Sequence, residues 1–70
     1  MLKLKYQLEK YPDYQYDILQ LREGETYQFF HKNTLIGGIN KIGDKWEQTS
    51  GRETSESIVN SMGKFIEQNS

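Results

Sequence analysis

The spacing of apolar residues changes once along this chain, and that change restricts the fold more than any other feature. From Leu2 to about Thr49 apolar and polar residues mostly alternate; from Ser57 to Ile66 the apolar ones recur every three or four positions. Successive side chains of a strand point to opposite faces, whereas a helix brings positions three and four apart onto one face. The pattern therefore predicts a run of β-strands followed by a single amphipathic helix.

Leu2, Leu4, Tyr6 and Leu8 alternate with Lys3, Lys5, Gln7 and Glu9, the signature of a strand with one apolar and one wet face. Tyr11-Pro12-Asp13 reads as a turn, because Pro presets φ and Asp caps the bend. A second strand runs from Tyr14 to Leu21 with an ambiguous facing: Tyr14, Tyr16 and Ile18 share one side, Leu19 and Leu21 sit out of phase. A bulge near Ile18-Leu19, or burial of both faces, would reconcile them. After a turn at Arg22–Glu25, a third strand spans Thr26 to Lys32; it puts Tyr27, Phe29 and His31 on one side and Phe30 on the other.

Lys32-Asn33 turns the chain into a fourth strand, Thr34 to Ile42, interrupted by Gly37-Gly38. Adjacent glycines inside a strand point to a bulge, a bend or the close approach of another backbone. Gly43-Asp44 is a hairpin signal leading into a fifth strand, Lys45 to Thr49. Thr54 or Ser55 then caps a helix whose stripe is Ile58, Val59, Met62, Phe65 and Ile66. Gly63 weakens that helix by about 1 kcal/mol relative to Ala but lets it sit close to the sheet. Gln68, Asn69 and Ser70 are expected to fray. The expected architecture is α+β: a five-stranded antiparallel meander, open or closed into a barrel, with the C-terminal helix packed on one face. All 70 residues form one β-β-β-β-β-α domain.

A chain of this length buries only about 60% of its unfolded surface. It contains no cysteine, so neither a disulfide nor a thiolate metal site can reinforce it. Nine aromatic residues (five Tyr, three Phe and Trp46) supply the core instead. Nine Lys and Arg against ten Asp and Glu leave a net charge of −1, which exerts no global pull on phosphate backbones or anionic lipid. Lysines interrupt the leucines of the first five residues, and no apolar run approaches the roughly 20 residues of a membrane span. A cytoplasmic location without membrane contact is the expectation. With a Met at position 1 and no tag, the chain is expected to be a complete small protein.

Catalysis finds little footing. His31 is the one imidazole, nothing around it has the spacing of a nucleophile elbow or triad, and a packing role in an aromatic strand accounts for it. Glu23/Glu25, Glu53/Glu56 and Asp13/Asp17 read as solvated turn and cap residues, since paired carboxylates work only across a cleft of set width. Gly37-Gly38 lacks the spacing of a phosphate loop, and no helix follows it. No cofactor and no metal are expected.

Binding is better supplied. A sheet covered on one side by a helix leaves its other face and its edges free. If Tyr27 and Phe29 face the helix, then Phe30, Leu19 and Leu21 are the residues expected in a protein-contact patch, with a homodimer as the simplest version. A regulator or inhibitor would suit the size. The alternative is a single-stranded nucleic-acid-binding sheet, in which Lys41 and Lys45 hold phosphates and Trp46 stacks on a base. The acidic sequence pI of about 5.7 and the lack of an RNP-like aromatic motif weigh against it.

Overall fold

The computed structural model describes residues 1–69. Five strands, β1 (Leu2–Leu8), β2 (Tyr11–Gln20), β3 (Tyr27–His31), β4 (Thr34–Ile42) and β5 (Lys45–Gly51), precede one helix, α1 (Glu56–Asn69). The strands form a single antiparallel sheet in chain order, β1-β2-β3-β4-β5. Among the described residues no ladder joins β1 to β5, so the sheet is open.

The helix takes the place of the missing ladder. Its backbone approaches β5 most closely, then β1 and β4, and does not approach β2 or β3. A helix can touch both edge strands of a five-stranded sheet only if that sheet is strongly curled. Phe65 meets Tyr6 of β1, with ring centroids 5.3 Å apart. On the other side Gly63 lies against Trp46 of β5: a Cβ there would fall 2.2 Å from the indole Cγ. The expected role of Gly63 is thus realised, and the lost helix propensity is exchanged for contact with an aromatic face.

Between helix and sheet lies one core, built from Ile18, Phe29, Ile39, Met62 and Ile66, with Tyr6, Leu8, Tyr16, Trp46 and Val59 around them. Each of these strand residues comes from the inward half of the alternation, and the helix residues fall in the predicted stripe. Ser55 is the N-cap: its Oγ accepts from the Ile58 N–H and its carbonyl from the Val59 N–H. Gln48 shapes the approach to that cap, since its Oε1 accepts from the Thr54 N–H at 2.8 Å.

Several details differ from expectation. The first turn is Glu9-Lys10, not Tyr11-Pro12-Asp13, because Leu8 already pairs with Tyr11. The register jumps from Gln7↔Gln15 to Leu8↔Tyr11, which leaves Pro12, Asp13 and Tyr14 in a bulged stretch. A proline without an N–H is tolerated there because no ladder bond is asked of it. No bulge occurs at Ile18-Leu19: pairing is continuous from Leu2↔Gln20 to Gln7↔Gln15. Leu19 is instead half-buried on the outer face and Leu21, past the strand, is 57% exposed. Two further irregularities fall beside the glycines, between Phe29 and Phe30 and between Gly38 and Ile39. The helix continues through Gln68 and Asn69, the latter donating from Nδ2 to the Phe65 carbonyl at 2.8 Å; Ser70 lies outside the described residues.

Candidate functional site

Alternation along β1, β2 and β3 that sends Tyr6, Tyr16, Ile18 and Phe29 inward sends Lys3, Lys5, Asp17, Leu19 and Phe30 outward, away from the helix. Registration then sets their neighbours. Lys3 lies opposite Leu19 and Lys5 opposite Asp17. Asp17 lies opposite Phe30, and Phe30 opposite Leu35. An oblique apolar ridge, Leu19-Phe30-Leu35, therefore crosses the outer face with the two lysines along its β1 side. Phe30 and Leu19 are half-buried by their neighbours, whereas Leu35 is 51% exposed.

Beside this ridge is an open groove of about 470 Å³, lined by Met1, Lys3, Lys5, Leu19, Phe30 and Asn33 among others. Asn33 reaches it from the β3–β4 turn, where Lys32 and Asn33 both adopt positive φ, 47° and 67°. Two successive left-handed residues match the right-handed twist of the flanking strands. Of the three residues expected to form the patch, Leu19 and Phe30 come together in this groove. Leu21 follows the end of β2 and is not among its lining residues. Leu35 was not anticipated; its pairing with Phe30 follows from the extra residue, Ile36, that the irregularity beside Phe29 accommodates.

Between Leu35 and Ile42, both exposed residues of β4, the outer face is polar. The Asn40 Oδ1 accepts from the hydroxyls of Thr26, at 3.1 Å, and Thr49, at 2.6 Å. Gly38 is closely covered there, since a Cβ would fall 2.5 Å from the Thr26 methyl and 2.8 Å from the Ser50 Oγ. The apolar groove is thus confined to the β1–β3 side.

The residues of the nucleic-acid alternative are arranged otherwise. Lys41 and Trp46 are direct cross-strand partners on the helix side, while Lys45 pairs with Ile42 and points the other way. The Trp46 ring is buried against Gly63 and meets Tyr27 edge-on at 5.5 Å. Its Nε1 donates to Glu67 Oε2 at 3.3 Å, and the same oxygen is paired with the Lys41 ammonium. Those two donors, with Lys41 the stronger influence, hold the Glu67 carboxyl below its ordinary range. Lys3 and Lys5 stand on β1, at the opposite edge of the sheet from Lys45.

His31 stacks on Tyr14, with ring centroids 3.9 Å apart and planes within 4°, and its Nδ1 lies 3.2 Å from the Gln15 carbonyl. That contact fixes Nδ1 as the protonated nitrogen, donating to backbone. The neighbouring Tyr16 hydroxyl is pushed up to about 12, first by burial and then by Tyr14. A phenol so shifted stays protonated and does not act as a base near neutrality. Among the described residues no three His, Asp or Glu side chains gather as metal ligands. No described helix is long and apolar enough to cross a membrane.

In comparison with known proteins the chain matches no family, no curated protein and no solved structure.

Proposed function

We propose that this protein works by binding another protein chain through the sheet face opposite the helix, and that it is not an enzyme. One observation supports the reading: Leu19 and Phe30 line one groove, and Leu35 pairs with Phe30, on a face that none of the described elements covers. A small domain that leaves an aromatic and two leucines partly in water gains from a partner that removes them. A cytoplasmic regulator or inhibitor fits this reading, and its occupant is either a second copy of the chain or a different protein. The nucleic-acid alternative loses support, because the Trp46 ring is enclosed and Lys41 is engaged by Glu67.

Site-specific photocrosslinking in the cell of origin tests the proposal. A crosslinker in place of Leu35 should yield protein adducts, and one in place of the exposed helix residue Asn60 should not. The Leu35 adducts should disappear when Phe30 is changed to Thr. Thr rather than Asp is placed at position 30, because an Asp there would stand directly opposite Asp17. Adducts that form equally from both positions, or that survive Phe30→Thr, would remove the outer face as the working surface.

A further inference from the structure

Resting on the protein-binding reading, the charges around the groove allow its occupant to be specified. We propose that the groove takes an extended apolar segment of a different protein, bearing two carboxylates that meet Lys3 and Lys5.

Lys3 and Lys5 are exposed and project from the same side of β1, two residues apart. Strand geometry sets such positions roughly 6–7 Å from each other. Alternate residues of an extended ligand have the same spacing, so carboxylates at positions i and i+2 can face both ammoniums at once. Neither lysine has an ion-pair partner among the described residues; the pair that exists is Lys41–Glu67. Lys5 lies opposite Asp17 in the register but makes no salt bridge to it. Across the sheet Lys3 faces Leu19, while Asp17 stands between Lys5 and Phe30; Leu19, Phe30 and Met1 supply the apolar part of the floor, and the two ammoniums outnumber the single carboxylate. A ligand combining apolar side chains with acidic ones thus matches the groove in both respects.

A second copy of this chain matches it less well. Its outer face would bring Lys3 and Lys5 of its own, setting four ammoniums against the two Asp17 carboxylates, and like charges across an interface oppose association. A phosphate backbone would satisfy the lysines but would leave Leu19 and Met1 without an apolar partner, and the single aromatic of the groove, Phe30, is half-buried.

The test is selection of random dodecapeptides displayed on phage against the whole protein, followed by affinity measurements on synthetic versions. Enriched peptides should carry at least two Asp or Glu among apolar residues. Phe30→Thr should weaken them by about tenfold or more, and the double variant Lys3→Glu/Lys5→Glu by a similar factor. Circular dichroism confirms that both variants fold, and Lys3→Gln/Lys5→Gln serves as a milder second pair. Peptides with Lys in place of Glu should bind the Lys3→Glu/Lys5→Glu protein, a rescue that a merely structural effect would not produce.

Neutral or basic peptides, lost in Phe30→Thr but indifferent to the lysine variants, would overturn the acidic specificity and leave the outer face standing. Peptides insensitive to both sets of variants would overturn the face as well. Failure to enrich any peptide would overturn the extended acidic ligand, and the crosslinking result then decides the face alone. A wild-type dimer in sedimentation that Phe30→Thr dissociates would make a second copy the occupant. Tighter binding of a mixed-sequence single-stranded oligonucleotide, lost with Lys3→Glu/Lys5→Glu, would replace the peptide by nucleic acid.

Discussion

Phe29 and Phe30 are neighbours of identical chemistry with opposite fates. Phe29 has no exposed surface, enclosed by the core beneath the helix; Phe30 is half-buried on the face the helix does not reach. Ile18 and Leu19 repeat the contrast one strand away, at 1% exposure against partial exposure. The difference lies wholly in which side of the pleat each Cβ leaves. The inner side is committed to holding the sheet and helix together. The outer side keeps some apolar surface and adds charge, and the proposed contact surface is built on that mixture.

The largest test of this contrast is a matched pair of truncations. Phe29→Ala should cost about 3–5 kcal/mol, most of the roughly 4–10 kcal/mol expected of a domain this size. Phe30→Ala should cost less, about 1–2 kcal/mol in chemical denaturation, since its ring keeps part of its surface in water and leaves no enclosed cavity behind. Equal losses would break the distinction between the faces.

Gly63→Ala comes next. Helix propensity alone predicts a gain of about 1 kcal/mol. The added Cβ would meet Trp46 at 2.2 Å, and this indole is buried and held through Nε1 by Glu67. Overpacking costs of about 1–3 kcal/mol should win, so the variant should melt below wild type. A rise in melting temperature would mean that the helix-side core yields more readily than its packing implies.

Alkaline unfolding sharpens the comparison on the inner face. The Tyr16 hydroxyl titrates near 10 in the unfolded chain and at about 12 in the fold, chiefly through burial. The fold therefore binds this proton more tightly, and the associated stability is complete below pH 10 and is lost as pH rises toward 12. Tyr16→Phe should flatten that decline; phenolate absorbance and denaturant midpoints measured together will show it. An unchanged slope would mean that Tyr16 does not retain its proton in the fold.

The smallest effect belongs to the rim. The Glu67 carboxyl is held below its ordinary range by Lys41 and Trp46, so its contribution is present at neutral pH and fades as acid protonates it in the fold. Glu67→Gln should remove that acid dependence while changing neutral stability little, because the pair is exposed. A large loss at neutral pH would show that the carboxylate fixes the Trp46 indole and, through it, the inner face.

Much of the architecture was legible because it depends on local periodicity. The alternation of Leu2 to Leu8, the stripe from Ile58 to Ile66, and the turns at Lys32-Asn33 and Gly43-Asp44 each declare themselves within a few residues. The conditional placement of Phe30 opposite Tyr27 and Phe29 followed from the same rule. What escaped depends on partners distant in the chain. Pro12 signals a turn and a bulge equally well, and only the Leu8↔Tyr11 pairing distinguishes them. Leu35 joins the ridge because Ile36 takes up an irregularity, which no periodicity announces. The enclosure of Trp46 needed Gly63, and the engagement of Lys41 needed Glu67, both contributed by the helix. Residue type is local to the sequence, whereas whether a side chain is already engaged depends on partners that only the fold brings near.

The helix that touches β1, β4 and β5 also dictates an order of events during synthesis. All five strands emerge from the ribosome before α1 does, and each pairs with the strand just before it. The nascent meander is thus a ribbon with both borders exposed and its aromatic side uncovered, the form most prone to joining its neighbours edge to edge. Only when Gly63, Phe65 and Glu67 arrive can the first and last strands be bridged. The last turns of α1 therefore convert a sheet vulnerable to stacking into a molecule whose inner aromatic face is closed.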